Sequence, residues 1–125
     1  MEENEIGRVI LGGAIQVHRE LGPGLLESVY ETVLLHELQQ RGLQVERQVP
    51  IDIEYRGMIF KAGFRADLLV EAKIIVELKC IGSMSDVHKK QLLTYLRLTG
   101  MKLGYLLNFG EVLLRNGIVR IVNRL

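Results

Sequence analysis

Cysteine is nearly absent, with Cys80 as the only one. A single thiol excludes an internal disulfide and a cysteine-based zinc site. An excess of one charge is absent too. The chain carries 16 Lys and Arg against 15 Asp and Glu, a net charge of +1. Nothing global marks it as a nucleic-acid binder, so that reading has to rest on local residues. No apolar run approaches the roughly 20 residues that span a bilayer as a helix. The start, Met1-Glu2-Glu3-Asn4-Glu5, lacks the basic stretch of a secretory signal. The expectation is a cytoplasmic protein with no membrane partner. Linkers, low-complexity stretches and internal repeats are missing as well. The 125 residues are expected to form one domain, residues 1–125, long enough for a real core.

What is present fits a soluble globular chain, with 48% apolar and 25% charged residues. Ile6, Val9, Ile10, Ala14, Val17 and Leu21 recur at helical spacing. Gly12-Gly13 weakens that helix or marks close packing. A second helix is expected over about Leu25–Arg41, with Leu26, Val29, Tyr30, Val33, Leu34 and Leu38 on its apolar face. Strand-like texture follows. Val45–Val49 is short, and Ile51, Ile53 and Tyr55 alternate with charged residues. Arg56-Gly57 turns into Met58–Ala62, and Phe64–Val70 and Ile74–Cys80 form the next hairpin. Ser85 or Asp86 caps a third helix that ends at Thr99-Gly100. Leu103–Asn108 is a further strand, and Val112–Leu114 and Ile118–Val122 are expected to pair around an Asn116-Gly117 turn. The expected order is α-α-β-β-β-β-α-β-β-β, a mixed sheet flanked by helices.

One strand breaks the apolar rule. Ile74-Ile75-Val76-Glu77-Leu78-Lys79 carries two charges, and Asp67 interrupts the run Phe64–Val70. Residues two apart on a strand share a side, so Glu77 and Lys79 lie with Ile75. Ionised groups among apolar neighbours are costly unless paired or bound to a metal. Asp67 and Glu77 on adjacent strands can hold Mg²⁺, which accepts one or two carboxylates and keeps several waters. Such a cation polarises a phosphodiester oxygen and lowers the pKa of a bound water. Lys79 would orient that water or offset charge on the phosphate. The spacing fits an ion pair at a strand edge equally well.

Other polar residues sit at suggestive positions. Glu27, Tyr30 and Leu34 share a helix face, so Glu27 either points inward or is an acid favoured by the helix dipole. Gln91 and Tyr95 are four apart on the third helix, one turn after His88. The Gln amide suits a phosphate or a metal-bound water, and the Tyr hydroxyl a backbone phosphate. A solvent-edge Gln and a core Tyr are the plain alternatives. His18-Arg19 fits a metal or phosphate contact, or an ordinary packed histidine. Lys89, Lys90, Arg97 and Lys102 make the third helix and its exit basic. Cys80 has the parity of a small buried residue.

Gly24-Leu25-Leu26-Glu27-Ser28-Val29-Tyr30 reads Gly-x-x-Glu-x-x-Tyr, preceded by Val17-His18-Arg19-Glu20-Leu21-Gly22-Pro23. Together with Arg65–Val70, Ile75–Lys79, Gln91–Leu96 and Gly104–Gly110 it resembles the GxxExxY protein family over residues 5–124. That resemblance implies the PD-(D/E)xK nuclease superfamily. It implies an α/β (α+β), restriction-endonuclease-like fold with an αβββαβ core, and Mg²⁺- or Mn²⁺-dependent phosphodiester hydrolysis. Asp67 and Glu77 would be metal ligands, Lys79 the catalytic lysine, and Glu27 an additional acid at the metal. Gln91 and Tyr95 match a Gln-x-x-x-Tyr helix motif of the RecB-like branch. Tyr30, Gln91, Tyr95 and His18 are the expected substrate contacts. Ala66 stands where the superfamily's proline precedes the first acid, a position that varies. The expectation is a metal-dependent nuclease acting on DNA. A non-catalytic module binding nucleic acid or a protein, and a homodimeric junction resolvase, are the competing readings.

Overall fold

The computed structural model describes residues 1–125. Helices α1 (Glu3–Leu21) and α2 (Glu27–Gln40) come first, followed by strands β1 (Val45–Tyr55), β2 (Met58–Val70) and β3 (Ile74–Lys79). Then come α3 (Asp86–Thr99), β4 (Leu103–Asn108), a 3-10 turn (Leu114–Gly117) and β5 (Ile118–Val122). The strands form one sheet in sequence order. All neighbours are antiparallel except β3 and β4, which α3 joins as a crossover. The run α2-β1-β2-β3-α3-β4 is the αβββαβ core, and the architecture is α+β and restriction-endonuclease-like. No helix is long and apolar enough to cross a membrane.

Strand alternation sorts the core into two faces. Val76 and Leu78 of β3 and Leu103, Tyr105 and Leu107 of β4 pack with Ile6, Ile10, Leu34 and Leu38 of α1 and α2. Ile75 and Leu106 point the other way and pack with Leu92 and Leu96 of α3. Strand β3 is therefore covered on both sides, which explains its near-continuous apolar run. Gly13 marks close packing, because a Cβ there would lie 2.8 Å from Leu38 Cδ2. At the start of α3 the Ser85 amide donates to His88 Nδ1 at 3.3 Å, and Gly100 ends the helix in the left-handed conformation.

Two strand expectations need correction. Met58–Ala62 and Phe64–Val70 are one strand, because a register shift opposite Ile51 and Ile53 absorbs the break at Ala62 and Gly63. There the Asp52 carboxylate accepts the Ala62 N–H at 2.9 Å. The final hairpin does not form. Asn116-Gly117 lies in the 3-10 turn, from which Leu114 is buried in the core, and β5 pairs with β4 instead.

Candidate active site

The site begins where two strands part. The β2–β3 ladder runs from Val70–Ile74 to Leu68–Val76 and stops. The next residues are Asp67 on β2 and Glu77 on β3. The Leu78 N–H finds no strand partner on β2 and instead donates to Asp67 Oδ2 at 2.8 Å. The half-buried Asp67 carboxylate is thereby held in the opening of the sheet.

Glu77 lies beside it and is only 9% exposed. Its Oε1 is buried and accepts no hydrogen bond. Burial first, and then the neighbouring Asp67 carboxylate, push the Glu77 carboxyl up to about 9, against the pull of Lys79. Glu77 has the α3-side parity of Ile75. Its charge is felt on that helix, where the Tyr95 hydroxyl is pushed up by burial and then by Glu77.

Lys79 ends β3 half-buried, next to Asn108 of β4. It forms no ion pair with Asp67 or Glu77; the chain's ion pairs are Arg41–Glu37, Arg47–Glu31, Lys61–Asp52 and Lys89–Asp86. The strand-edge ion pair that the spacing allowed is therefore not made.

Glu27 is the first residue of α2, and it is exposed rather than inward. Its carboxyl is raised by partial burial and then by Asp67, while Lys79 lowers it and Glu31 raises it further. The same Glu27 charge helps raise the half-buried Cys80 thiol, after burial. The Glu27 charge is thus coupled to those of Asp67 and Lys79. No three His, Cys, Asp or Glu side chains are gathered tightly enough to make a ready cage for a metal ion.

The other expected residues divide. The Tyr95 ring stacks on Phe64, with centroids 3.7 Å apart and planes 2° apart, and its hydroxyl feels Glu77. Gln91, one turn earlier, is exposed and makes no side-chain hydrogen bond within the chain. Tyr30, expected as a substrate contact, lies in the core with its hydroxyl taken by backbone groups. Its ring is fully buried and stacks on Phe109 at 4.7 Å. Its hydroxyl donates to the Gly22 carbonyl and accepts the Leu25 N–H at 3.2 Å. The motif's glycine and tyrosine therefore act on one turn: Gly24 adopts φ +102°, and Tyr30 fastens the chain that delivers Glu27. His18 also stands apart from the acids. It is 5% exposed, its Nε2 pairs with the Glu111 carbonyl at 2.8 Å, and its ring leans on Phe109. It borders an open cavity of about 610 Å³ with Arg19, Gly22, Leu113 and Arg115.

Sequence reasoning missed a fourth acid. Glu31 of α2 is buried, and its carboxylate receives Arg47 Nη2 at 2.7 Å and Gln48 Nε2 at 2.5 Å. The signal was legible, since Glu31 lies one turn after Glu27 and beside the buried Tyr30. The role of Gln48 had no such signal, because it depends on how β1 meets β2.

The residues fit a hard divalent cation. Glu77 has a buried, unpartnered oxygen, and a second carboxylate beside it supplies oxygen ligands of the right chemistry. Two carboxylates suffice for a cation that keeps much of its water. Without a cation, burial and mutual repulsion hold the Glu77 carboxyl protonated at neutral pH.

Comparison with known families matches residues 4–121 to the family described as the PD-(D/E)XK nuclease superfamily. No curated protein sequence matches the chain.

Proposed function

The chain belongs to the PD-(D/E)XK nuclease superfamily, and from that premise we propose that it is a divalent-metal-dependent nuclease hydrolysing phosphodiester bonds in DNA. The Gly24-x-x-Glu27-x-x-Tyr30 signature supports a place in the GxxExxY branch. The whole chain then forms one nuclease-like domain. The observation that carries the reading is the buried, unpartnered Glu77 oxygen beside Asp67 in the opening between β2 and β3.

Asp67 and Glu77 would hold Mg²⁺ or Mn²⁺. The bound cation supplies Lewis-acid polarisation of a phosphodiester oxygen and a lowered pKa for water. Asp67 is prepared for this by the Leu78 N–H, which fixes Oδ2, while Oδ1, approached only by the Gln48 amide at 3.5 Å, keeps lone pairs with which to ligate. Glu77, protonated at neutral pH when unliganded, would have to give up its proton to act as a ligand. Lys79 is free of any ion pair, so its ammonium can donate to the attacking water or to the phosphate oxygens as negative charge builds there. Water would add to phosphorus and lose a proton to solvent as the bond to the sugar oxygen breaks and that oxygen takes up a proton from solvent, with Lys79 lowering the energy of the arrangement between. Glu27, exposed at the start of α2, lies at the outer edge of the group, where its charge would act on the cation's water shell. Tyr95 presents its hydroxyl from the α3 side toward the same carboxylates. Gln91 is placed to meet a phosphate further out.

The test is cleavage of single-stranded, duplex and branched DNA with Mg²⁺ or Mn²⁺, comparing wild type with Asp67→Ala and Lys79→Ala. Metal-dependent cleavage by the wild type alone is the expected result. Equal cleavage by all three proteins would reject the assignment.

A further inference from the structure

Six non-glycine residues have positive φ. Arg56 lies in the turn between β1 and β2, Glu71 and Ala72 in the turn between β2 and β3, Ala62 at the register shift, and Arg124 at the end of the chain. Gln48 is different. Its φ is 51°, yet it sits within β1, between the pairs Arg47–Leu68 and Val49–Ala66, and although the pairing skips it the register on its two sides does not shift. Non-glycine residues rarely adopt this conformation, and where no turn requires it the surroundings must impose it.

The side chain shows what the conformation achieves. The register of the flanking pairs sets Gln48 opposite Asp67, where the ladder itself makes no pair. Its Nε2 donates to Glu31 Oε1 at 2.5 Å and reaches Asp67 Oδ1 at 3.5 Å. An amide nitrogen carries two hydrogens and can serve two acceptors at once. Glu31 is a fixed anchor, since its other oxygen is held by Arg47 at 2.7 Å and its side chain is only 7% exposed. Asp67 is therefore gripped from two sides, by the Leu78 N–H on Oδ2 and by the Gln48 amide on Oδ1. Without that amide, the Glu31 and Asp67 carboxylates would face each other with no donor between them.

We propose that Gln48 is a positioning residue that ties Asp67 to the Glu31–Arg47 pair and sets the Asp67 carboxylate for cation binding. The inference rests on the metal reading above and adds to it a residue outside the acid and lysine set. Groups that orient a metal ligand typically change affinity by about 10–100-fold when removed.

Two substitutions separate this role from a merely structural one. Gln48→Asn tolerates positive φ but is one methylene too short to bridge the acids. Gln48→Gly removes the amide and relieves the backbone. Mn²⁺ affinity by calorimetry and thermal midpoints of the metal-free protein are measured for both, with wild type and Asp67→Asn as references. The expected result is a midpoint at or above wild type together with Mn²⁺ affinity lowered about tenfold or more. Wild-type affinity in both variants, with binding lost in Asp67→Asn, would overturn the role of Gln48 and leave the metal site standing. A loss of stability in both variants that matches the loss of affinity would make Gln48 structural and overturn it too. Absence of Mn²⁺ binding by the wild type at millimolar metal would overturn the metal reading and this one with it.

Discussion

Replacing Glu77 by Gln should make the metal-free protein more stable at neutral and alkaline pH. In the unfolded chain a glutamate titrates near 4.3, whereas in the fold the Glu77 carboxyl is pushed up to about 9 by burial and by Asp67. Between those values the folded protein holds a proton that the unfolded chain has released. Stability therefore falls as pH rises across this window, by at most about 1.4 kcal/mol per pH unit. From pH 5 to pH 7.5 the loss amounts to roughly 3 kcal/mol, a large share of a total stability of about 5–15 kcal/mol. A glutamine keeps the shape, carries no charge and can donate toward Asp67. Urea unfolding in a chelating buffer reads the difference directly. Near pH 5 the two proteins should unfold together, and by pH 7.5 the Gln midpoint should be higher by roughly 1–2 M urea. Groups common to both proteins cancel in the comparison. A difference that stays constant from pH 5 to pH 8, or a wild type that is the more stable at pH 7.5, would show that Glu77 is ionised without metal and would refute the reasoning.

The same proton should be seen leaving when the cation binds. Calorimetry of Mn²⁺ binding at pH 7 in buffers of different ionisation enthalpy should report release of about one proton, with affinity rising up to about tenfold per pH unit below pH 9. Tyr30→Phe should cost about 1–2 kcal/mol in denaturant unfolding, because the Gly22 carbonyl and the Leu25 N–H lose their shared hydroxyl. Leu78→Ala, a fully buried truncation on the face toward α1 and α2, should cost about 2–5 kcal/mol by the same measurement. Gln91→Ala should keep more cleavage activity than Lys79→Ala, since Gln91 is exposed and bonded to nothing in the chain.

Much of this was legible in the residues because it depends on local periodicity. Both faces of β3 are covered, so its apolar run with Glu77 and Lys79 inside it stood out before any tertiary detail was known. The three helices fell near their expected bounds because Ser85, Gly42 and Gly100 mark their ends. The final hairpin failed because Asn116-Gly117 is a turn signal that several turns can satisfy, here a 3-10 turn, and β5 pairs with β4. Tyr30 and His18 look like polar contacts by residue type, but their polar atoms are taken by backbone groups at Gly22, Leu25 and Glu111. Glu31, one turn after Glu27, could have been read as a candidate acid, but its contact with Gln48 was out of reach for the opposite reason. Their meaning lies in the meeting of α2, β1 and β2, which a linear pattern does not encode.

The central claim is that Asp67 and Glu77 form a divalent-cation site where β2 and β3 part. A crystal structure of the protein soaked in Mn²⁺, with anomalous data collected at a wavelength where manganese scatters, tests it most directly. The account predicts one ordered cation within about 2.0–2.5 Å of oxygens from both carboxylates, the range for hard-cation coordination. A clear map with no cation there, or with manganese bound only elsewhere on the chain, would contradict it.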